Sequence, residues 1–510
     1  MGNRRSEGSG KGVALSIDVQ TLNSPGWWLQ KCATKLQGRQ KRLKLLADYH
    51  DGNPPLPTGA ENVRDAYKAF QKKARTNFAE LIVGLTRERC TVRSIRTAVD
   101  SDSEGDEKAW EIWRDNNLDI EFSDVLENML ALGDGYMIVG LDPDDTEKVI
   151  ITGEDPRQVV TIHDPARQSE VRAALKMFHD PDLLMDYAFL YLRGETVTDS
   201  QGNTTVLNAR RYVASRPRKT TGKSVTFSAS AFDWDEDFGG AEGEELNHRF
   251  VPVVRFRNRR GIGEFEPHTD ILDRINHTVL QRMVIAAYQA FRWHAIKVSD
   301  DDMPDEDEDG NPIDYGDILT ADPGAFMKVP KDADFWESGQ TDMQGVLESI
   351  KSDVQTLAFV TRSPLSAVSD AVNQSAEGAS LIKEGQIFKT EDKQKRATAS
   401  LVIVFMLAFL CLEDKDRADK HKIVIDWAPA ERFSLQQKYD AASKAPASIP
   451  SETLMSEVLQ FSPETIALAK AQQMDDAIRG VLNGSVTTEP TRPEPASPPA
   501  SSAPDSRSSN

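Results

Sequence analysis

The chain has 510 residues, too many for one ordinary hydrophobic core, so two to four structural units are expected. Hydrophobic residues make up 39% and charged residues 28%, the balance of a soluble globular protein. A formal net charge of −20 argues against a protein that grips DNA through a broad basic surface, but not against one past which DNA must slide.

Ser24-Pro25 offers a helix cap followed by proline at the first helical position. Cys32, Leu36, Leu43 and Leu46 then recur near helical spacing until Gly52 and Pro54. A second helix is expected across Val63–Glu88 and a third around Trp110–Leu132. From Tyr136 the texture changes. YMIVGLD, KVIITG, VVTIHD, RAALKMF, AFLYLRG, RRYVAS and SVTFSAS are short β-rich runs separated by polar turn residues, the pattern of a mainly antiparallel region. DWDEDFGGAEGEE reads as an acidic loop, and RFVPVVRFRNRR as a buried strand leaving a basic end.

A long helix is signalled from Pro267, with Leu272, Ile275, Val279, Met283, Ala286 and Ala290 on one face and Asp270 with Arg274 as an i,i+4 pair. The polar stretch Trp293–Gln340 suggests short strands at WHAIKV and AFMKVP. Another long helix is expected from Thr341, where Thr341 and Gln344 fit a capping box. Met343, Leu347, Ile350, Val354 and Leu357 line its face, and Ser363-Pro364 ends it. The small-residue loop SAVSDAVNQSAEGAS opens a third helix, carrying the mixed-charge KTEDKQKRATAS and then the apolar LVIVFMLAFLCL. KIVIDW reads as a strand and Ser434 to about Leu482 as helical. The Pro/Ser-rich stretch from Gly484 reads as disordered.

Motifs for catalysis, metal or nucleotide are tempting and fail. Cys32, Cys90 and Cys411 are far apart, so neither a disulfide framework nor a zinc site is suggested and a reducing compartment is expected. The N-terminal MGNRRSEGSGKG lacks the apolar stretch of a secretory signal. The apolar run Leu401–Leu412 is shorter than the roughly 20 residues that span a bilayer, so a buried helix and no membrane partner are expected. In GSGKG, Gly12 stands where a phosphate loop needs Ser or Thr. In TTGKS, Pro217 stands where the loop needs its first glycine. Asp305, Asp307, Asp309 and Gly310 match the entry to an EF-hand loop, but Gly316 replaces the bidentate Glu and Pro312 interrupts the loop. No HExxH, HxxxH or GxSxG pattern occurs. No catalytic residue, cofactor or metal ligand is expected, and the chain reads as a non-enzyme.

The informative feature is the arrangement: a mixed head, a long helix out, a small insert, a helix back, a flexible loop and a third helix. A projecting two-helix stalk leaves apolar surface that repetition around an axis would cover, which predicts a ring.

In RLKLLADYHDGNPPLP, NFAELIVGLTRERCTV, EIWRDNNLDIEFSDVLENMLALGDGYMIVGLD, VPVVRFRNRRGIGEFEPHTDILDRINHTVLQRMVIAAYQAFRWHAI, NQSAEGASLIKEGQIFKTEDKQKRA and DWAPAERFSLQQKYDAASKAPASIPSE, taken in order, the chain resembles the SPP1 gp6-like portal proteins of tailed bacteriophages, specifically the type common in phages of actinobacteria. The resemblance implies an α+β portal-type subunit. Its mixed wing would comprise residues 1–260, stem helix 1 residues 261–292 and a small α/β clip residues 293–340. Stem helix 2 would comprise 341–361, the wing return with tunnel loop and long helix 362–425, a helical crown 426–483 and a disordered tail 484–510. It further implies a homododecameric ring at one capsid vertex, assembled in the bacterial host cytoplasm. The implied partners are the terminase large subunit, the head–tail adaptor, the major capsid protein and scaffold, and double-stranded DNA passing without sequence readout.

On that reading Asn373, Gln374 and Ser375 in the tunnel loop and Arg274, Arg282 and Lys351 on the stem are candidates to touch DNA. The bland alternatives are an ordinary loop with a helix cap, and pairing with acids of neighbouring subunits. Asp305, Asp307 and Asp309 in the clip are candidates to meet a basic partner surface. The rival classes are a head-vertex or capsid-assembly protein without a DNA channel, the terminase motor, which would need an intact phosphate loop, and a calcium-binding module.

Overall fold

In a computed structural model of the chain, the described residues are 17–57, 65–97, 99, 105–199, 203–218, 228–290, 294–297, 306, 312, 334–337, 342–364, 376–431, 434–446, 448–461 and 463–482. They belong to two compact units, one of Met1–Asp100 with Asp106–Glu431 and the other of Ser101–Gly105 with Arg432–Asn510.

The larger unit begins with α1 (Pro25–His50), where the Ser24 hydroxyl accepts from the Trp27 amide at 3.1 Å and Pro25 opens the first turn. The helix expected over Val63–Glu88 is instead two, α2 (Asp65–Lys73) and α3 (Phe78–Arg87). Asn77 interrupts them because its side chain caps α3 by accepting from the Glu80 amide. Strand β1 (Val92–Arg96) follows. The helix expected around Trp110–Leu132 is likewise divided into α4 (Glu107–Asp115) and α5 (Leu118–Leu132). Asn117 sits between them at φ 47°, a left-handed conformation that Asn tolerates better than most residues.

The β-rich region is antiparallel at every pairing among the described residues. The strands are β2 (Asp134–Leu141), β3 (Val149–Glu154), β4 (Val159–His163), β5 (Val171–Asp180), β6 (Met185–Leu192), β7 (Thr196–Thr198), β8 (Thr204–Val206) and β9 (Arg210–Pro217). Short β10 (Asp233–Trp234) and β11 (Glu244–Glu245) fall inside the acidic loop, and β12 (Val253–Arg257) is the basic-ended strand. One sheet runs β10-β9-β6-β5-β4 with β11 also on β9, a second runs β12-β2-β3, and β7 pairs with β8. Helix α1 covers the first sheet, burying Leu29, Cys32 and Leu36 against Val160, Leu175 and Leu190. The turn from α5 into β2 depends on Gly133. At φ 91° it is left-handed, and a Cβ there would lie 2.4 Å from the Gly261 carbonyl oxygen.

Three long helices follow: α6 (Thr269–Ala290), α7 (Gln344–Thr361) and α8 (Ala376–Cys411). Between α6 and α7, β13 (His294–Lys297) pairs with β14 (Asp334–Glu337). AFMKVP lies outside the described residues, and the strand that meets WHAIKV is Asp334–Glu337. Helix α7 starts at Gln344, whose amide donates to Asp342 Oδ1 at 2.8 Å; Thr341 lies outside the described residues. Lys383–Cys411 is long and apolar enough by composition to cross a membrane. Leu401, Val404, Phe405, Ala408 and Phe409 are buried in the main core with Phe122 and Phe256, and this accounts for its apolarity. Strand β15 (Val424–Trp427) pairs with β1.

The smaller unit holds α9 (Leu435–Lys444), a turn Ser451–Thr453 running into a π turn Leu454–Val458, and α10 (Pro463–Leu482). Ser434 and Gln437 make a complete capping box at the start of α9.

Candidate functional site

The paired helices α6 and α7 carry the sequence-predicted cations. Leu272, Ile275, Leu280, Val354 and Leu357 are buried along the pair. The pair is anchored to the head by polar contacts. Asn276 Oδ1 accepts from the Thr76 amide at 2.9 Å and from its hydroxyl at 2.7 Å, and Tyr49 OH donates to Asp273 at 2.7 Å.

Arg274 faces Asp353 of the opposite helix and not Asp270. Its Nε and Nη2 donate to the two carboxylate oxygens at 2.9 and 2.7 Å, a bidentate clamp between α6 and α7. That hydrogen bonding raises the Arg274 pKa further. Arg282 is half-buried and Lys351 exposed, and neither makes an ion pair among the described residues. So, among the described residues, the three stem candidates separate into one cation engaged in an ion pair and two that make none. Asn373, Gln374 and Ser375 lie outside the described residues, as do Asp305, Asp307 and Asp309. Of that acidic loop, Glu306 and Pro312 form an antiparallel bridge across its base.

Where α7 ends and α8 begins, a buried charge cluster links three segments. Arg362 ends α7 in a left-handed conformation (φ 55°). Lys389, one turn into the buried part of α8, donates to the Thr361 carbonyl at 3.0 Å and lies 3.1 Å from Glu264. Lys393, one turn further, reaches Glu264 at 2.6 Å and Asn258 Oδ1 at 2.8 Å. Asn258 in turn donates to Glu264 at 2.9 Å and to the Ile262 carbonyl at 2.7 Å. Burial by itself would raise the Glu264 carboxyl, but the charges of Lys389 and Lys393 and hydrogen bonds from Lys393 and Asn258 bring it down to about 2. Burial lowers Lys389, with Lys393 and Arg362 adding to the effect against the pull of Glu264. One carboxylate therefore holds two lysines, and it fixes the first buried turns of α8 to the C-terminus of α7 and to the segment entering α6.

The sequence reading saw only mixed charge in KTEDKQKRATAS. The signal was its register: Gln386, Lys389, Lys393, Ala397 and Leu401 are all buried and continue the apolar stripe of the helix at spacings of three and four.

Among the described residues no group of His, Cys, Asp or Glu gathers to hold a metal. What the fold presents is structural: a mixed head from which two clamped helices leave and to which a third returns. The chain belongs to the phage portal proteins of the SPP1 Gp6-like type, which it matches over residues 29–479, and its class is therefore that of the portal at the capsid vertex of a phage or phage-like particle. No curated protein matches it. Among solved structures it is similar to the neck of an empty GTA particle computed with C6 symmetry, at 13% identity and a TM-score of 0.39, covering 78% of this chain and 94% of that one. It is also similar to the neck of a native GTA particle computed with C12 symmetry, at 11% identity and a TM-score of 0.38, covering 76% and 89%.

Proposed function

We propose that twelve copies form a closed ring at one capsid vertex, through which the genome is packaged and later ejected. The terminase large subunit would dock first and the head–tail adaptor later. The observation that carries the ring is unsatisfied apolar surface on the helices: Leu347 is 46%, Phe359 68% and Phe388 56% exposed in the isolated chain. Such surface on a soluble subunit marks a place where another subunit sits. In this reading 1–260 is the wing, 261–292 and 341–361 the stem, 293–340 the clip, 362–425 the wing return with the tunnel loop, 426–483 the crown and 484–510 the tail.

Duplex DNA carries one charge per ~1.7 Å of axis, so a strongly basic lumen would hold it and stop translocation. A chain of net charge −20 keeps the contact weak. Arg282 and Lys351, without an ion pair among the described residues, and Asn373, Gln374 and Ser375 of the tunnel loop are the residues proposed to touch passing phosphates. Arg274 has a second role as the clamp between the stem helices. Asp305, Asp307 and Asp309 are proposed to steer a basic partner to the clip; their joint charge reversal should weaken motor or adaptor binding while rings persist. The ring itself is tested by negative-stain electron microscopy and native mass of the purified chain. Annular particles of about twelve subunits are expected, and a monodisperse monomer or dimer across salt and concentration would overturn it.

A further inference from the structure

A cleft of about 830 Å³ runs along α8 on the side facing β12. Its floor is apolar, made by Phe250, Val402, Ile403, Met406 and Leu410. Its rim is basic. Arg249 lies over the Phe250 ring at 5.0 Å, and Arg257 and Lys420 are exposed with no ion pair among the described residues. In a chain with twenty more acidic than basic side chains, cations that make no ion pair among the described residues, set beside an apolar floor, point to an acidic occupant with an apolar anchor.

The chain carries such a feature on the opposite flank of the same layer. Ile120 on α5 is 65% exposed. Asp124 follows one helical turn later and Asp115 precedes it, both exposed and without an ion pair among the described residues. Two contacts place this patch away from the cleft. Phe405 stacks on Trp113 of α4 (6.4 Å, 7°), so α4 lies on the side of α8 turned from Val402 and Met406. Asn116 donates to the Val149 carbonyl at 2.9 Å and accepts from the Ile151 amide at 2.7 Å, which seats the start of α5 over β3. Strand β3 is one edge of the sheet, and β12, beside the cleft, is the other.

We infer that the α8 cleft of one copy receives the Ile120 edge of α5 from the next copy, with Asp115 and Asp124 meeting Arg257 and Lys420. Complementary patches on opposite flanks make a heterologous, head-to-tail contact, the kind that closes into a ring. The inference rests on the ring reading and names the surfaces that join its subunits.

A charge-swap experiment on the full chain, read by native mass and negative-stain imaging, tests it. R257E/K420E places like charges in the contact, as does D115K/D124K. Each alone should require at least roughly tenfold more protein for half-assembly. Mixing the two variants should restore rings in which they alternate, because each then supplies the charge the other lacks; this outcome also shows that both fold. I120S should weaken assembly without altering the monomer's circular dichroism. Wild-type rings with variants that assemble equally well would overturn this contact while leaving the ring intact, as would weakened variants that mixing does not rescue. A wild-type chain that never assembles would overturn both.

Discussion

Glu264→Gln is the most informative perturbation of the interior. It keeps the shape and the acceptor for Asn258 but removes the charge shared by Lys389 and Lys393, whose side chains are 6% and 5% exposed. The carboxyl falls from an ordinary 4.5 to about 2 in the fold, a difference corresponding to about 3 kcal/mol of stability at neutral pH. Breaking a buried ion pair by removing one partner costs a similar amount. The sign follows from the depressed folded pKa. The contribution is complete above pH 4.5 and is lost as pH falls towards 2. Denaturant unfolding of wild type and E264Q should therefore differ by about 3 kcal/mol at pH 7, and the gap should close as the pH approaches 2. A gap near zero at pH 7, or one unchanged at low pH, would refute the argument. The triple replacement E264M/K389M/K393M should recover most of the loss, since removing all the charges leaves none unpaired.

Other predictions follow from single contacts. Burial pushes the Cys32 and Cys90 thiols up to about 12 and Cys411 up to about 11, so all three should resist alkylation at pH 8 until the chain is denatured, as mass spectrometry would show. Gly133→Ala forces a left-handed alanine against the Gly261 carbonyl and should destabilise by about 2 kcal/mol or more in urea unfolding. Arg274→Met should cost less than about 1 kcal/mol, and less still in high salt, because the Arg274 side chain is 54% exposed and its pair is screened. Arg282→Glu with Lys351→Glu should leave ring assembly unchanged and lower the amount of packaged DNA, measured as nuclease-protected genome per particle. Unchanged packaging would remove these two residues from the channel.

How legible the chain was depended on whether the cause was local. The cap at Ser24, the antiparallel texture from Tyr136 and the apolar faces of α6 and α7 all rest on neighbours within a turn or on strict alternation, and all were readable. The breaks at Asn77, whose side chain accepts from the Glu80 amide, and at Asn117, which turns left-handed, were not, because continuous periodicity on both sides hides a single interrupting residue. Arg274 had two carboxylates to choose from. Asp270 was four residues away in sequence, whereas Asp353 comes within reach only once α6 and α7 pack. The Lys389–Glu264–Lys393 cluster draws its members from segments over a hundred residues apart, and a mixed-charge run ordinarily signals a solvated face.

The internal use of charge bears on how such a chain handles DNA. Asp134 is held by Arg39 and Arg255, Asp186 by Arg216 and Arg218, and Glu264 by two lysines. Each of these carboxylates is nearly buried and takes two cations out of the chain's supply. Six cations are thereby engaged inside the fold, while the chain as a whole keeps a net charge of −20 that would repel a nearby duplex. Screening over ~8 Å at physiological salt limits the resulting repulsion to the immediate wall of a channel. There, on the proposed reading, Arg282 and Lys351 would act as brief contacts in an otherwise repulsive lining. If the proposed channel holds, such a wall would guide a duplex along the axis without binding it, and adding charge should be harmful in either direction. Extra lysines on the stem should slow the proposed passage of DNA, and loss of Arg282 and Lys351 should leave the duplex without lateral guidance.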